Sequence, residues 1–165
     1  MDDEQYWALV ERAREADPGD VSGSVVGVLR GLSPAEVVAA DLAFRRISAT
    51  GCTWALWGAA HLITGGCSDE GFDCFRGQLV ALGREVFENA VADPDSLADV
   101  VGADGVDSAF DEGVLDAAWT AYRALTGEDL PMRQGVRYPA LGEGWDFGDD
   151  AEMRARYPRL AAVFL

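Results

Sequence analysis

Residues 54–80 read WALWGAAHLITGGCSDEGFDCFRGQLV, and the fold turns on how this stretch is read. Trp54, Trp57 and His61 fall at i, i+3 and i+7, which puts them on one face of a helix. Leu56, Ala60 and Ile63 make a second apolar line, widened by Leu62. A helix from Thr53 to about Thr64 that is apolar over most of its surface is expected to be buried on several sides. Gly65-Gly66 ends it, because glycine takes the left-handed cap conformation without steric cost. Ser68 then caps a second helix, with Asp69 and Glu70 in its first turn, where negative charge offsets the positive end of the helix dipole. Phe72, Phe75, Leu79 and Leu82 recur at helical spacing, and Asp69, Asp73 and Arg76 form a charged line beside them. The expectation is a central pair of antiparallel helices, joined by the tight GGCSDEG turn and packed through tryptophans and phenylalanines.

Working outward, the amino-terminal side carries three more helices. Asp2 or Asp3 caps the first, to about Ala16, with Gln5 placed for a capping box and Tyr6, Trp7, Val10 and Ala13 facing inward. Asp17-Pro18-Gly19-Asp20 breaks the chain. Val21 to Leu32 is a weaker helix whose Gly23 and Gly27 suggest close contact with a neighbour rather than a ligand loop, since no strand precedes them. Ser33-Pro34-Ala35-Glu36 is a start signal, with serine as cap, proline at the first position and glutamate reaching back from the third. The helix it opens runs to about Thr50 and carries Val37, Val38, Leu42, Phe44 and Ile47.

On the carboxyl side, Gly83 ends or bends the second central helix, and Val86, Phe87 and Val91 carry a helical pattern to Ala92. Pro94 opens a short helix to Val101, and Gly102 to Asp111 reads as a polar loop. Glu112 to Thr126 is a strong helix with Leu115, Ala118, Trp119, Tyr122 and Leu125 on one side, capped by Gly127. From Glu128 to Asp149 the pattern is lost, and an irregular arm is expected to pin Tyr138, Trp145 and Phe147 onto the helices. A last helix is expected at Asp149 to Arg156, then a short apolar tail from Pro158 to Leu165. Together these predict an all-α fold: one domain over residues 1–165, a helical bundle with a core at 1–127 and an irregular arm with a short terminal helix at 128–165.

The run LWGAAHLITGGCSDEGFDCFRGQLVALG resembles the core of a bacterial domain family of unknown function, DUF4240. The resemblance rests on Leu56, Trp57, Gly65, Gly66, Cys67, Ser68, Asp69, Glu70, Gly71, Phe72, Asp73, Phe75 and Arg76. It extends to Tyr6-Trp7, to the DPDSL run at Asp93–Leu97 and to Gly144-Trp145. The chain departs from the family pattern at Cys74, where an aromatic is expected, and at His61, where a tyrosine is expected. The resemblance implies no established activity.

Composition narrows the function classes. The chain has 165 residues, 49% of them hydrophobic and 25% charged, the balance of an ordinary globular domain. No apolar run approaches the ~20 residues that span a bilayer, and the acidic start MDDEQYW lacks the layout of a signal peptide. Three cysteines, an odd number, fit free thiols in a reducing compartment, and a cytoplasmic location is expected. All 13 basic residues are arginine, so Schiff-base chemistry and a phosphate-loop lysine are excluded. The net charge is −16, and between Arg84 and Arg123 ten acids from Glu85 to Asp116 meet no basic residue. Nucleic-acid phosphates and anionic membrane surfaces are therefore not expected partners.

Cys67 precedes a helix amino terminus, where a thiol's pKa falls, and His61 is a candidate base, but Asp69, Glu70 and Asp73 oppose that shift. The simpler reading makes Cys67 a small apolar residue filling the turn. Cys52, His61, Cys67 and Cys74 could supply four metal ligands in number, but without CxxC spacing no metal or other cofactor is expected. Asp73 and Arg76, three apart, suit a local ion pair that holds the turn. Alternatively the Arg76 fork, with Asp73, Asp69 and Trp57, could bind a carboxylate or phosphate of a small ligand. The leading expectation is a non-enzymatic protein-binding or regulatory module that receives a basic protein partner on the Glu85–Asp116 stretch. The alternative is a small enzyme or ligand binder built on Gly65–Arg76.

Overall fold

The structure, a computed structural model, describes residues 1–101, 113–131 and 135–165. Its helices are α1 (Asp3–Ala16), α2 (Val21–Arg30), α3 (Pro34–Thr50), α4 (Trp54–Thr64), α5 (Asp69–Ala81), α6 (Arg84–Ala92), a 3-10 turn (Pro94–Asp99), α7 (Gly113–Thr126), α8 (Asp150–Arg156) and α9 (Pro158–Phe164). No strand occurs among the described residues, and the fold is all-α, as the periodicity predicts. The polar loop expected at 102–111, and the expected helix start at Glu112, lie outside the described residues.

The helix starts are set by local hydrogen bonds. In α1 the Asp2 carboxylate accepts from the Gln5 amide at 2.8 Å, and the Gln5 side chain accepts from the Asp2 amide at 3.0 Å. Ser33 and Glu36 form the same reciprocal box at α3, and the hydrogen bonds from Ser33 hold the Glu36 carboxyl below its ordinary range. Thr53 and Ser68 cap α4 and α5 through their hydroxyls. Gly65 closes α4 at φ 67, the left-handed region open to glycine.

Packing divides the central pair between two sets of neighbours. α5 lies against α1, α3, α6 and α7, while α4 lies against α9 and the 94–99 turn. Trp57 and Phe72 stack across the pair at 5.0 Å and 8°. Phe72, Phe75 and Leu79 are buried, as their spacing predicts, and Leu82 is half-buried at the helix end.

Three expectations are corrected. In α7 the buried residues are Val114, Ala117, Ala118 and Ala121, whereas Leu115 and Tyr122 are half-buried and Trp119 and Leu125 are exposed. This helix packs against α2, α3 and α5, and close approach favours alanines over bulky side chains. The segment from Pro158 is a helix, not a tail, and Met153 of α8, Tyr157 at the junction and Leu160 of α9 belong to the same core as α1–α6. In α2, a methyl added at Gly27 would meet nothing within 4 Å, and one at Gly23 would meet only the Asp20 cap, so neither glycine serves close helix contact.

Candidate functional site

The turn between α4 and α5 is fastened from inside. The amide of Gly66 donates to the His61 carbonyl at 3.0 Å. The Thr64 hydroxyl lies within hydrogen-bond distance of the Ala60 and Gly66 carbonyls, at 2.8 and 2.7 Å. The Trp57 indole N–H donates to the Cys67 carbonyl at 3.0 Å. The Cys67 thiol is half-buried, and burial pushes its pKa up; hydrogen bonding to Thr64 and Trp57 offsets part of that shift, and the nearby Cys74 adds to it. A helix amino terminus alone would lower the pKa, so here desolvation wins.

Arg76 is the main departure from a simple charged line. The residue is 2% exposed. Nη1 donates to the Ser48 carbonyl of α3 at 3.1 Å, and Nη2 pairs with Asp73, whose side chain is 61% exposed. Phe72 and Tyr138 lie over the guanidinium at 5.0 and 5.7 Å. Its Nε is buried without a hydrogen-bond partner among the described residues. Asp69 is exposed in the first turn of α5, so of the two aspartates on the predicted line it is Asp73 that ties the arginine to the turn.

The face carrying Trp54, Trp57 and His61 forms as predicted and is covered by the arm. Phe147 lies 4.7 Å from Trp54, 5.3 Å from His61 and 6.5 Å from Trp57, between ring centres. Trp145 meets Trp54 edge-on at 6.4 Å, and the Trp54 indole donates to the Trp145 carbonyl at 3.1 Å. Behind α4, the Tyr157 hydroxyl donates to the Ala55 carbonyl at 2.7 Å. A side chain at Gly58 would meet that hydroxyl at 2.3 Å, so glycine is required there.

The acidic stretch is less uniform than its sequence suggests. Asp95 is 6% exposed and accepts from the amides of Arg159, at 3.2 and 3.0 Å, and Leu160, at 2.9 Å, capping α9 from a distance. Asp99 pairs with Arg159, and Glu88 with Arg84. Glu85, Asp93 and Asp116 are exposed, while Asp104, Asp107, Asp111 and Glu112 lie outside the described residues. A cleft of about 410 Å³ opens between α1 and α6, lined by Glu11, Arg14, Arg84, Glu85, Glu88 and Asn89 among others. Two neighbouring clefts, of about 350 and 230 Å³, add Glu15 and the pair Asp3 and Glu4. Within this surface Arg14 is tied to Glu11, and Arg84 to Glu4 and Glu88.

The sequence model of DUF4240, described as a protein of unknown function, matches residues 1–124. The chain belongs to the DUF4240 family. No curated protein and no solved structure matches it. The DUF4240 match spans the turn, Arg76 and the α1–α6 cleft, and it stops short of Gly144-Trp145.

Several residues of this DUF4240 chain carry their role only in three dimensions. Among the described residues no three His, Cys, Asp or Glu side chains are grouped to hold a metal ion, and Cys52, Cys67 and Cys74 are half-buried and form no disulfide. The ring of His61 rests on Phe147. Tyr157, Gly58 and the Ser48 carbonyl gave no signal in the sequence, because each acts through a partner distant along the chain. No described helix is long and apolar enough to cross a membrane.

Proposed function

We propose that this DUF4240 protein is a non-enzymatic, cytoplasmic binding module that receives a basic segment of a protein partner along the α1–α6 surface. The observation that carries the proposal is the cleft of about 410 Å³ at the start of the acidic stretch. Its two arginines already hold Glu4, Glu11 and Glu88, which leaves Glu85 exposed. The carboxylates of Asp3, itself paired with Arg46, and of Glu4, Glu11, Glu15, Glu85 and Glu88 are spread over three adjoining clefts instead of converging on one point. Distributed negative charge suits a chain of positive side chains and speeds its encounter. The net charge of −16 acts in the same direction.

The turn supports the non-enzymatic part of the reading. A thiol pushed up by burial is a poor nucleophile at neutral pH, and the guanidinium of Arg76 is engaged by Ser48 and Asp73. One observation favours the second reading, a small-ligand site on Arg76, Asp73, Asp69 and Trp57: the buried Nε of Arg76 has no acceptor among the described residues.

Affinity capture from native cytoplasm, run at low and high salt with the wild type and a Glu11→Gln/Glu85→Gln variant, tests the leading reading. Capture that salt removes and the variant weakens is expected. Capture indifferent to both salt and the variant overturns it.

A further inference from the structure

The chain between Thr126 and Asp150 carries no helix among its described residues, yet it covers the rings of α4 and the guanidinium of α5. Phe147 and Trp145 lie on Trp54, Trp57 and His61, and Tyr138 lies over Arg76. One segment therefore covers the side chains of this region that are best suited to hold a ring or an anion.

Its docking is incomplete in two respects. The Trp145 indole N–H is buried without a hydrogen-bond partner among the described residues, so its lost hydration is not replaced. Tyr138 and Leu141 remain 53% and 38% exposed. Both hydrogen bonds from α4 to this segment start at Trp54: its amide donates to the Leu141 carbonyl at 2.8 Å and its indole to the Trp145 carbonyl. Ring contacts add to this: Trp145 also packs on Arg156, at 3.8 Å, and on Tyr157. A cover hydrogen-bonded to α4 through one residue, with a donor left unpaired among the described residues, is the kind of element that opens locally while the core stays closed.

We propose that residues 138–147 are a removable strap, and that the Trp54–Trp57–His61 face beneath it is a binding site for an extended segment of a partner protein carrying two aromatic side chains one residue apart. The strap is the resident occupant of that site. In Trp145-Asp146-Phe147 the two rings stand at i and i+2, and both reach Trp54. An incoming segment with phenylalanine or tyrosine in place of Trp145 would fill the same space without burying an unpaired indole N–H. This site is separate from the α1–α6 cleft, and its test does not depend on that reading.

The probe is a fluorescein-labelled peptide of residues 141–149, with its acids replaced by their amides so that the acidic protein does not repel it. A full-length Trp145→Ala/Phe147→Ala variant should bind it about tenfold or more tightly than wild type, because wild-type affinity is reduced by the fraction of strap that is open. The same peptide with both rings replaced by alanine should not bind. Equal affinity for variant and wild type, or no binding to a folded variant, overturns the proposal. Native-state hydrogen exchange on the wild type decides the question where the variant does not fold. The Trp54 amide should exchange through an opening that leaves the amides in the middle of α4 protected. A single common rate for both would show that the segment leaves only when the whole protein unfolds, and would overturn the proposal.

Discussion

The turn at 65–76 and the segment at 84–99 each bury one charge, and they do so by opposite means. Arg76 is surrounded by ring faces, one carbonyl and an outer carboxylate, and its Nε keeps no partner among the described residues. Asp95 sits at the start of α9 and accepts from two backbone amides aimed at it. Exposed helix-end amides are ready-made partners for a carboxylate, whereas a buried guanidinium has more donors than one turn can satisfy. The turn therefore uses its chemistry to hold itself together. The acidic segment buries Asp95 as a distant cap, ties Asp99 to Arg159 and Glu88 to Arg84 at the surface, and leaves Glu85 facing solvent.

Removing the cation gives the largest effect that this contrast predicts. Arg76→Ala leaves the Ser48 carbonyl without its donor and a void between Phe72 and Tyr138, for a loss of about 3 kcal/mol. Arg76→Lys should recover little of it, because an ammonium lacks the planar fork. Urea unfolding with unchanged slope reads both. A neutral result for Arg76→Ala would mean that the turn does not rely on the arginine, and the ligand reading of its open Nε would gain ground.

Asp95→Ala comes next, at about 2 kcal/mol, since a buried cap to two amides is lost. Thermal unfolding should report it, and the α9 amides of Arg159 and Leu160 should lose exchange protection before those of α1. An unchanged melting temperature would place Asp95 among the solvated acids and remove the contrast between the two segments.

The thiol of Cys67 separates the regions kinetically. Burial raises its pKa, so at neutral pH its thiolate fraction is below that of a free cysteine. Iodoacetamide should label it several-fold more slowly than it labels free cysteine. The rate should climb with pH, by about tenfold per unit, until the raised pKa is reached. Labelling at neutral pH faster than free cysteine would restore Cys67 as a candidate nucleophile.

What could be read from the sequence follows the range of each interaction. The capping boxes at Asp2–Gln5 and Ser33–Glu36, the Gly65 cap and the Phe72–Phe75–Leu79 stripe depend on neighbours within a turn or two, and residue type alone specified them. Asp95 and the α9 amides are 64 and 65 positions apart, so the acid looked solvated and a seven-residue helix looked like a tail. Tyr157 and Ala55 are 102 apart, which hid the need for glycine at position 58. In α7 the bulky Leu115, Trp119 and Tyr122 drew the apolar face towards themselves, although contact with three helices selected the alanine side. The ring face of α4 and its aromatic cover were legible, because tryptophan and phenylalanine outside a helix still need a surface to bury against.

The smallest expected effect on stability is also the one that bears most on function. Glu85 is exposed, and Glu85→Gln should change stability by no more than about 0.5 kcal/mol, against about 2 for Asp95→Ala. The two positions are ten residues apart in one acidic run, so composition alone would treat them alike. If the α1–α6 cleft receives a basic partner, Glu85→Gln should slow association and flatten its salt dependence while leaving the melting curve in place. Surface plasmon resonance against the captured partner, at two ionic strengths, measures both rates. A variant that destabilised the fold as much as Asp95→Ala would show that Glu85 also serves the architecture, and the division of labour within the acidic run would disappear.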